Sequence, residues 1–134
     1  MPYKLSIEEN GHGIVITLSG LVKGEEIFRL NEQFMSDESY PQWRYQIWDF
    51  SNIADIDVTF DQLRSYAIQD SIASRINPNQ RIAIIPRKKS QGGLDSIFHV
   101  YEEVWGGYES KSFRDVDAAR QWAQSGQKKH SQET

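Results

Sequence analysis

Hydrophobic and polar positions alternate from the first residues of the chain. Tyr3, Leu5 and Ile7 are interleaved with Lys4, Ser6 and Glu8, the period of two that marks a half-buried β-strand. Asn10-Gly11-His12-Gly13 is a turn cluster. Ile14 to Leu18 is β-branched and nearly continuous, as in a strand covered on both faces. The short turn between the two strands predicts an antiparallel hairpin. Ser19-Gly20 breaks the run. Ile27, Leu30 and Phe34 then recur at helical spacing, with Glu25, Glu26, Arg29, Glu32 and Gln33 facing outward. Ser39-Tyr40-Pro41 ends that helix.

Tyr45 to Phe50 predicts a third strand, and the polar stretch Ser51 to Val58 a loop. Thr59 with Gln62 three residues on matches the capping box. It opens a helix whose apolar stripe is Phe60, Leu63, Ala67, Ile68, Ile72 and Ile76, stopped by Asn77-Pro78-Asn79. Arg81 to Ile85 reads as a fourth strand and Pro86 to Gly93 as a loop. Leu94, Ile97, Phe98, Tyr101, Val104 and Trp105 form a regular helical stripe before Gly106-Gly107. Tyr108 to Phe113 is a weak edge strand, and Asp115 caps a last helix carrying Val116, Ala119, Trp122 and Ala123. The order is β-β-α-β-α-β-α-β-α. The expected fold is α/β: a mixed, mostly parallel five-stranded sheet with four helices. Residues 1–124 form one domain, and 125–134, without apolar anchors, are expected to be a disordered polar tail.

Composition narrows the class. A chain of 134 residues suits one domain and buries enough surface to fold without a staple. With no cysteine, disulfides and thiolate metal sites are excluded. Fifteen basic residues against nineteen acidic ones leave a net charge of −4, which argues against nucleic acid as a general partner. The longest apolar runs, Ile14-Val15-Ile16 and Ile82 to Ile85, fall far short of the ~18 residues of a transmembrane segment. The N-terminus lacks the apolar core of a signal peptide, so a cytoplasmic location is expected.

Two passages carry a family resemblance. One is Ile47-Trp48-Asp49-Phe50-Ser51-Asn52-Ile53, followed by Ile56-Asp57-Val58-Thr59-Phe60 and a helix. The other is the short strand from Tyr108, then Phe113-Arg114-Asp115 and Ala118-Ala119-Arg120-Gln121-Trp122. With the element order, they resemble the STAS fold of anti-anti-sigma factors, and more closely the SpoIIAA-like group of small bacterial proteins. Where the anti-anti-sigma signature has Asp-Ser-Ser-Gly, this chain has Asp57-Val58-Thr59-Phe60. One hydroxyl survives, and a bulky apolar residue replaces the glycine. The resemblance implies a non-enzymatic, intracellular regulatory domain that docks a protein partner on the 51–59 loop and the following helix. Asp49, Ser51, Asp57, Thr59 and Phe60 are the candidate docking and phosphorylation residues.

Each candidate also has a plainer structural explanation. A phosphate on Thr59 would add about −2 charge at a helix N-terminus, whereas an unmodified Thr59 serves simply as N-cap. Asp49, Asp55, Asp57 and Asp61 could hold Mg²⁺ or pair as acid and base, yet turn chemistry and the helix dipole also favour aspartate there. No metal site or cofactor is expected. Arg87, Lys88, Lys89 and Ser90 suit an anion at the carboxyl edge of a parallel sheet, though the motif is no P-loop and a solvated basic loop explains it as well. His12, His99 and His130 are isolated, without zinc spacing, and no nucleophile elbow occurs. Most of the four Trp, six Tyr and six Phe are expected in the core. The alternative function is binding of a small apolar or phosphate-bearing ligand, a lipid or nucleotide, beneath the Leu94–Trp105 helix. A hydrolase or transferase using the aspartates comes third.

Overall fold

The computed structural model describes residues 2–87 and 109–133. The elements are β1 (Tyr3–Glu8), β2 (Gly13–Lys23), α1 (Gly24–Met35), β3 (Tyr45–Asp57), α2 (Phe60–Ile76), β4 (Arg81–Ile85), β5 (Glu109–Ser112) and α3 (Val116–Glu133), with short 3-10 turns at Glu9–Gly11 and Tyr40–Gln42. One five-stranded sheet runs β1-β2-β3-β4-β5. β1 and β2 are an antiparallel hairpin, and every later pairing is parallel. The expected mixed, mostly parallel sheet is therefore present. The described residues hold three α-helices rather than the expected four, because the helix read from the Leu94–Trp105 stripe lies outside them.

The hairpin turn runs through positive φ at Glu9 (49°), Asn10 (58°) and Gly11 (92°), and asparagine and glycine are the residues that adopt it most readily. Advancing from β2 through β3 to β4 in one direction across the sheet, right-handed crossovers must place α1 and α2 on the same face. Ile14, Ile16 and Leu18 of β2, Trp48 and Phe50 of β3, and Ile82 and Ile84 of β4 meet Ile27, Leu30, Phe34, Leu63 and Tyr66 of those helices in the larger core. On the other face α3 lays Ala119 and Ala123 over Val15, Tyr45, Ile47, Ala83 and Ile85. The alternation along β3 thus serves two cores, the reason this strand and β4 read as continuous apolar runs.

Two strands are longer than their hydrophobic pattern suggests. β2 does not stop at Ser19-Gly20 but continues to Lys23, and β3 continues through the expected loop to Asp57. The ladder simply goes on: Ser19 pairs with Asn52, Gly20 with Ile53, and Leu21, Val22 and Lys23 with Asp55, Ile56 and Asp57. Register breaks between Thr17 and Ser19 and between Gly20 and Leu21 each leave an extra residue on β3. Gly20, at φ 70°, supplies the backbone freedom at the second break. Beyond Asp49, the last β3 residue paired with β4, only Phe50 and Ile53 of β3 are buried, with Ile56 packed against them from the rim of the core, and the exposed polar residues between them carry no strand signal.

Side-chain ties fix the layers. Tyr66 donates its hydroxyl to the carbonyl of Gly24, joining α2 to the start of α1. A Cβ on Gly24 would run into Gln62 and Tyr66. A buried polar chain links Trp48 Nε1 to Gln46 Oε1 at 2.8 Å, Gln46 to Gln80 at 2.7 Å and Gln80 to the Tyr40 hydroxyl at 3.0 Å. Arg81 donates to the Trp122 carbonyl at 2.6 Å, lies 4.7 Å above its indole and pairs with Glu109 at 3.1 Å, fastening α3 and β5 to β4. Glu8 receives Arg120 at 2.7 Å and the Tyr45 hydroxyl at 2.7 Å, so the end of β1 is held to α3.

Two outcomes follow. The Arg120 hydrogen bonds hold the Glu8 carboxyl below its ordinary value despite partial burial. A depressed carboxyl stabilises the fold above the unfolded value of about 4.3 and loses that contribution as pH falls through the folded value. Thermal melts of the wild type and Glu8→Gln should therefore differ most near neutral pH and converge toward pH 3. Gly24→Ala should cost about 1–3 kcal/mol by overpacking the α1–α2 junction, read as a lower urea midpoint with unchanged m.

Candidate functional site at the carboxyl edge and the outer face of α2

The ribbon, the start of α2 and the end of β4 meet at one rim. Arg87, just after β4, donates from Nη1 to the Ala54 carbonyl at 2.7 Å and lies 3.9 Å from Asp55. Segments 51–59 and 86–87 thus share an edge, as the parallel β3–β4 pairing requires. The guanidinium is engaged by the chain itself, while its Nε is buried without a partner. Lys88, Lys89 and Ser90 lie outside the described residues, as does the apolar stripe read as a cover for a ligand.

The candidate docking residues separate by role. Asp49 is buried and accepts the Ser51 N–H at 2.9 Å, so it shapes the exit from the sheet. Asp55 accepts the N–H of Ile56 at 2.8 Å. Ser51 is half-buried, and Asp57, Thr59, Phe60 and Asp61 are exposed. Thr59 is the N-cap the sequence predicts. Its Oγ1 accepts from Gln62 N at 3.1 Å and its N–H donates to Gln62 Oε1 at 2.9 Å. Among the described residues no group of three or more His, Asp or Glu converges as a metal site, and the four aspartates do not form one cluster.

The stripe assigned to α2 is only partly the buried one. Leu63, Tyr66, Ala67, Gln69 and Ala73 face the core, while Phe60 is 69%, Ile68 63%, Ile72 51% and Ile76 44% exposed. Leu63 and Ala67 belong to the inward side and the three isoleucines to the outward one. The helix has apolar residues on two sides and packs only one of them. Tyr66 and Gln69 win the inner positions because each finds a carbonyl on α1, Gly24 for Tyr66 and Phe28 at 3.1 Å for Gln69. A signal existed in the sequence: Ile68, Ile72 and Ile76 follow at four-residue steps along a line that begins about 100° round the helix from Ala67, too far for one stripe to hold with Leu63 and Ala67.

Between the outer sides of α1 and α2 runs an open groove of about 490 Å³, with Phe28 and Met35 on one wall and Ile68 and Ile72 on the other. Gln69 borders it, and its Oε1 is buried without a hydrogen-bond partner. A separate cavity under the two helices, bounded by Ile27, Trp48, Phe50, Leu63 and Ile84 among others, measures about 60 Å³. That volume holds a few waters, against the roughly 300–1,000 Å³ of ligand pockets.

No protein-family model matches the chain, and no curated protein matches it. Among solved structures it is similar to that of the anti-sigma factor antagonist SpoIIAA in its unphosphorylated form, with a TM-score of 0.58 and 11% identity over 89% of this chain and 94% of that one. At this identity the likeness speaks for architecture. The hairpin start, the parallel run of strands and helices on both faces make this a STAS-like α/β fold of the SpoIIAA type.

Proposed function

We propose that the chain is a non-enzymatic regulatory domain that works by docking a protein partner on the rim of residues 51–59 and the outer face of α2. The observation that carries this reading is the exposure of Phe60 beside Thr59 and, further along the same side of α2, of Ile68, Ile72 and Ile76. Exposed apolar residues grouped on one helix side and bordered by polar groups mark an interaction site. Arg64 stands between Phe60 and the isoleucines, Arg75 lies beside Ile76, and Asp57 and Asp61 stand at the start of the helix. SpoIIAA is an antagonist of an anti-sigma factor, a function exercised on another protein, and its fold is the one found here. A cytoplasmic setting belongs to this proposal.

Thr59 is the residue through which such docking is regulated. Its hydroxyl is exposed at a helix start, and SpoIIAA is a protein with a distinct unphosphorylated form. A phosphoryl group on Thr59 would add about −2 charge next to Asp57, Asp61 and the Phe60 ring. The helix N-terminus would tolerate that charge, whereas an apolar or acidic partner surface would not. The Leu94–Trp105 stripe on which the lipid or nucleotide alternative rests lies outside the described residues.

Two experiments test this reading. Tagged wild type, Phe60→Glu and Ile68→Glu, each checked for folding by circular dichroism, are used to recover bound proteins. A partner retained by the wild type should fall about tenfold or more in both variants and persist with Tyr3→Lys on β1; an unchanged partner set contradicts the surface. Thr59→Ala should cost about 1 kcal/mol of stability, about 3–5 °C in Tm, and leave the partner bound. Thr59→Glu should remove it, and equal retention by both variants argues against regulation at this hydroxyl.

A further inference from the structure

The two edges of the sheet are built differently. β5, at one edge, is four residues long and entirely polar: Glu109, Ser110, Lys111 and Ser112. Short, charged edge strands are how sheets avoid pairing with other chains. β1, at the other edge, is six residues of strict alternation without proline or register break. Its Tyr3, Leu5 and Ile7 pair with Leu18, Ile16 and Ile14 and so point to the same face as these core residues. Unlike them they are open, at 43%, 44% and 61% exposure.

We infer that β1 is a self-pairing edge, and that two copies of this chain join antiparallel along Tyr3–Glu8 about a two-fold axis to make one continuous sheet. An edge strand leaves the N–H and C=O groups of alternate residues without a ladder partner, and a second identical strand satisfies them isologously. The strand is complementary to itself. When Ser6 faces Ser6 of the second copy, Leu5 lies opposite Ile7 and Lys4 opposite Glu8, and both pairs recur by symmetry. Apolar thus meets apolar on one face and cation meets carboxylate on the other, arrangements that each favour cross-strand pairing. Glu8 is held in place for this role by Arg120 and Tyr45, with its side chain 18% exposed. The apolar side chains of the two strands then line the trough between the two α1 helices.

The absence of cysteine gives a clean test. Sedimentation of the wild type should show a concentration-dependent monomer–dimer equilibrium, and the exposed-site double substitution Leu5→Lys with Ile7→Lys should weaken it about tenfold or more while the circular dichroism spectrum stays native. Ser6→Cys should give a covalent dimer on mild oxidation, since facing residues of antiparallel strands lie within disulfide reach. Ser65→Cys on the exposed side of α2 serves as control and should give no covalent dimer. A wild type that stays monomeric at millimolar concentration overturns the inference. So does a dimer indifferent to the lysine substitutions, or one that cross-links through Ser65→Cys and not through Ser6→Cys.

Discussion

The ladder between β2 and β3 does not end where the sheet ends, and the shape of the candidate site depends on that. Past Asp49 the ribbon has lost β4 on one side, and past Thr17 to Leu18 it has lost β1 on the other. What keeps residues 51–57 extended is the pairing with Ser19–Lys23, aided by the Arg87 bond to the Ala54 carbonyl. An unpaired chain there would be a free loop, with an entropy of roughly 1–2 kcal/mol per residue to regain. Two extra residues absorbed on β3 turn the ribbon relative to the sheet. The result is a fixed launching point for Thr59 and the first turn of α2.

From that point α2 is asked to do two things. Its inner side must lie close to α1, and it does so through small and polar groups: Ala67 and Ala73 for proximity, Tyr66 and Gln69 for carbonyls of the neighbouring helix. Gly24 permits the approach. That choice frees the larger aliphatic residues for the outer side, where they stand unpacked. In a chain with this much buried aromatic surface the exposed isoleucines are not a shortage of core. They are a surplus left on the solvent side of the helix.

How far the sequence led can be seen element by element. β4 was legible to the residue because Arg81 and four apolar positions lie between a proline-containing stop and another proline. Thr59 was legible because the capping box is a chemical pattern and both of its hydrogen bonds form. Asp115 likewise caps α3, accepting from Ala118 N at 2.8 Å. The ribbon was not legible, since only Ile53 and Ile56 of Ser51 to Asp57 are large apolar residues, three apart rather than two, and the stretch looks like a loop by composition. Nor was the facing of α2, because hydropathy ranks Ile68 and Ile72 above Tyr66 and Gln69. Only the carbonyls of α1, remote in sequence, decide otherwise. Thr59 and Phe60 stand at the start of α2, whereas Asp49, Ser51 and Asp57 lie on β3, and the stripe that joins Leu63 and Ala67 to Ile68, Ile72 and Ile76 divides between the buried and the exposed side.

Amide hydrogen exchange on the isolated chain addresses the ribbon most directly. If the β2–β3 ladder persists past Asp49, the amides between Asn52 and Asp57 that face β2 exchange slowly, with alternate residues protected as in a one-sided pairing and with the same pattern on Ser19–Lys23. Uniformly fast exchange from Ser51 to Val58, at the rate of an unstructured peptide, would mean that no such ribbon positions α2, and the account of the docking rim would fall with it.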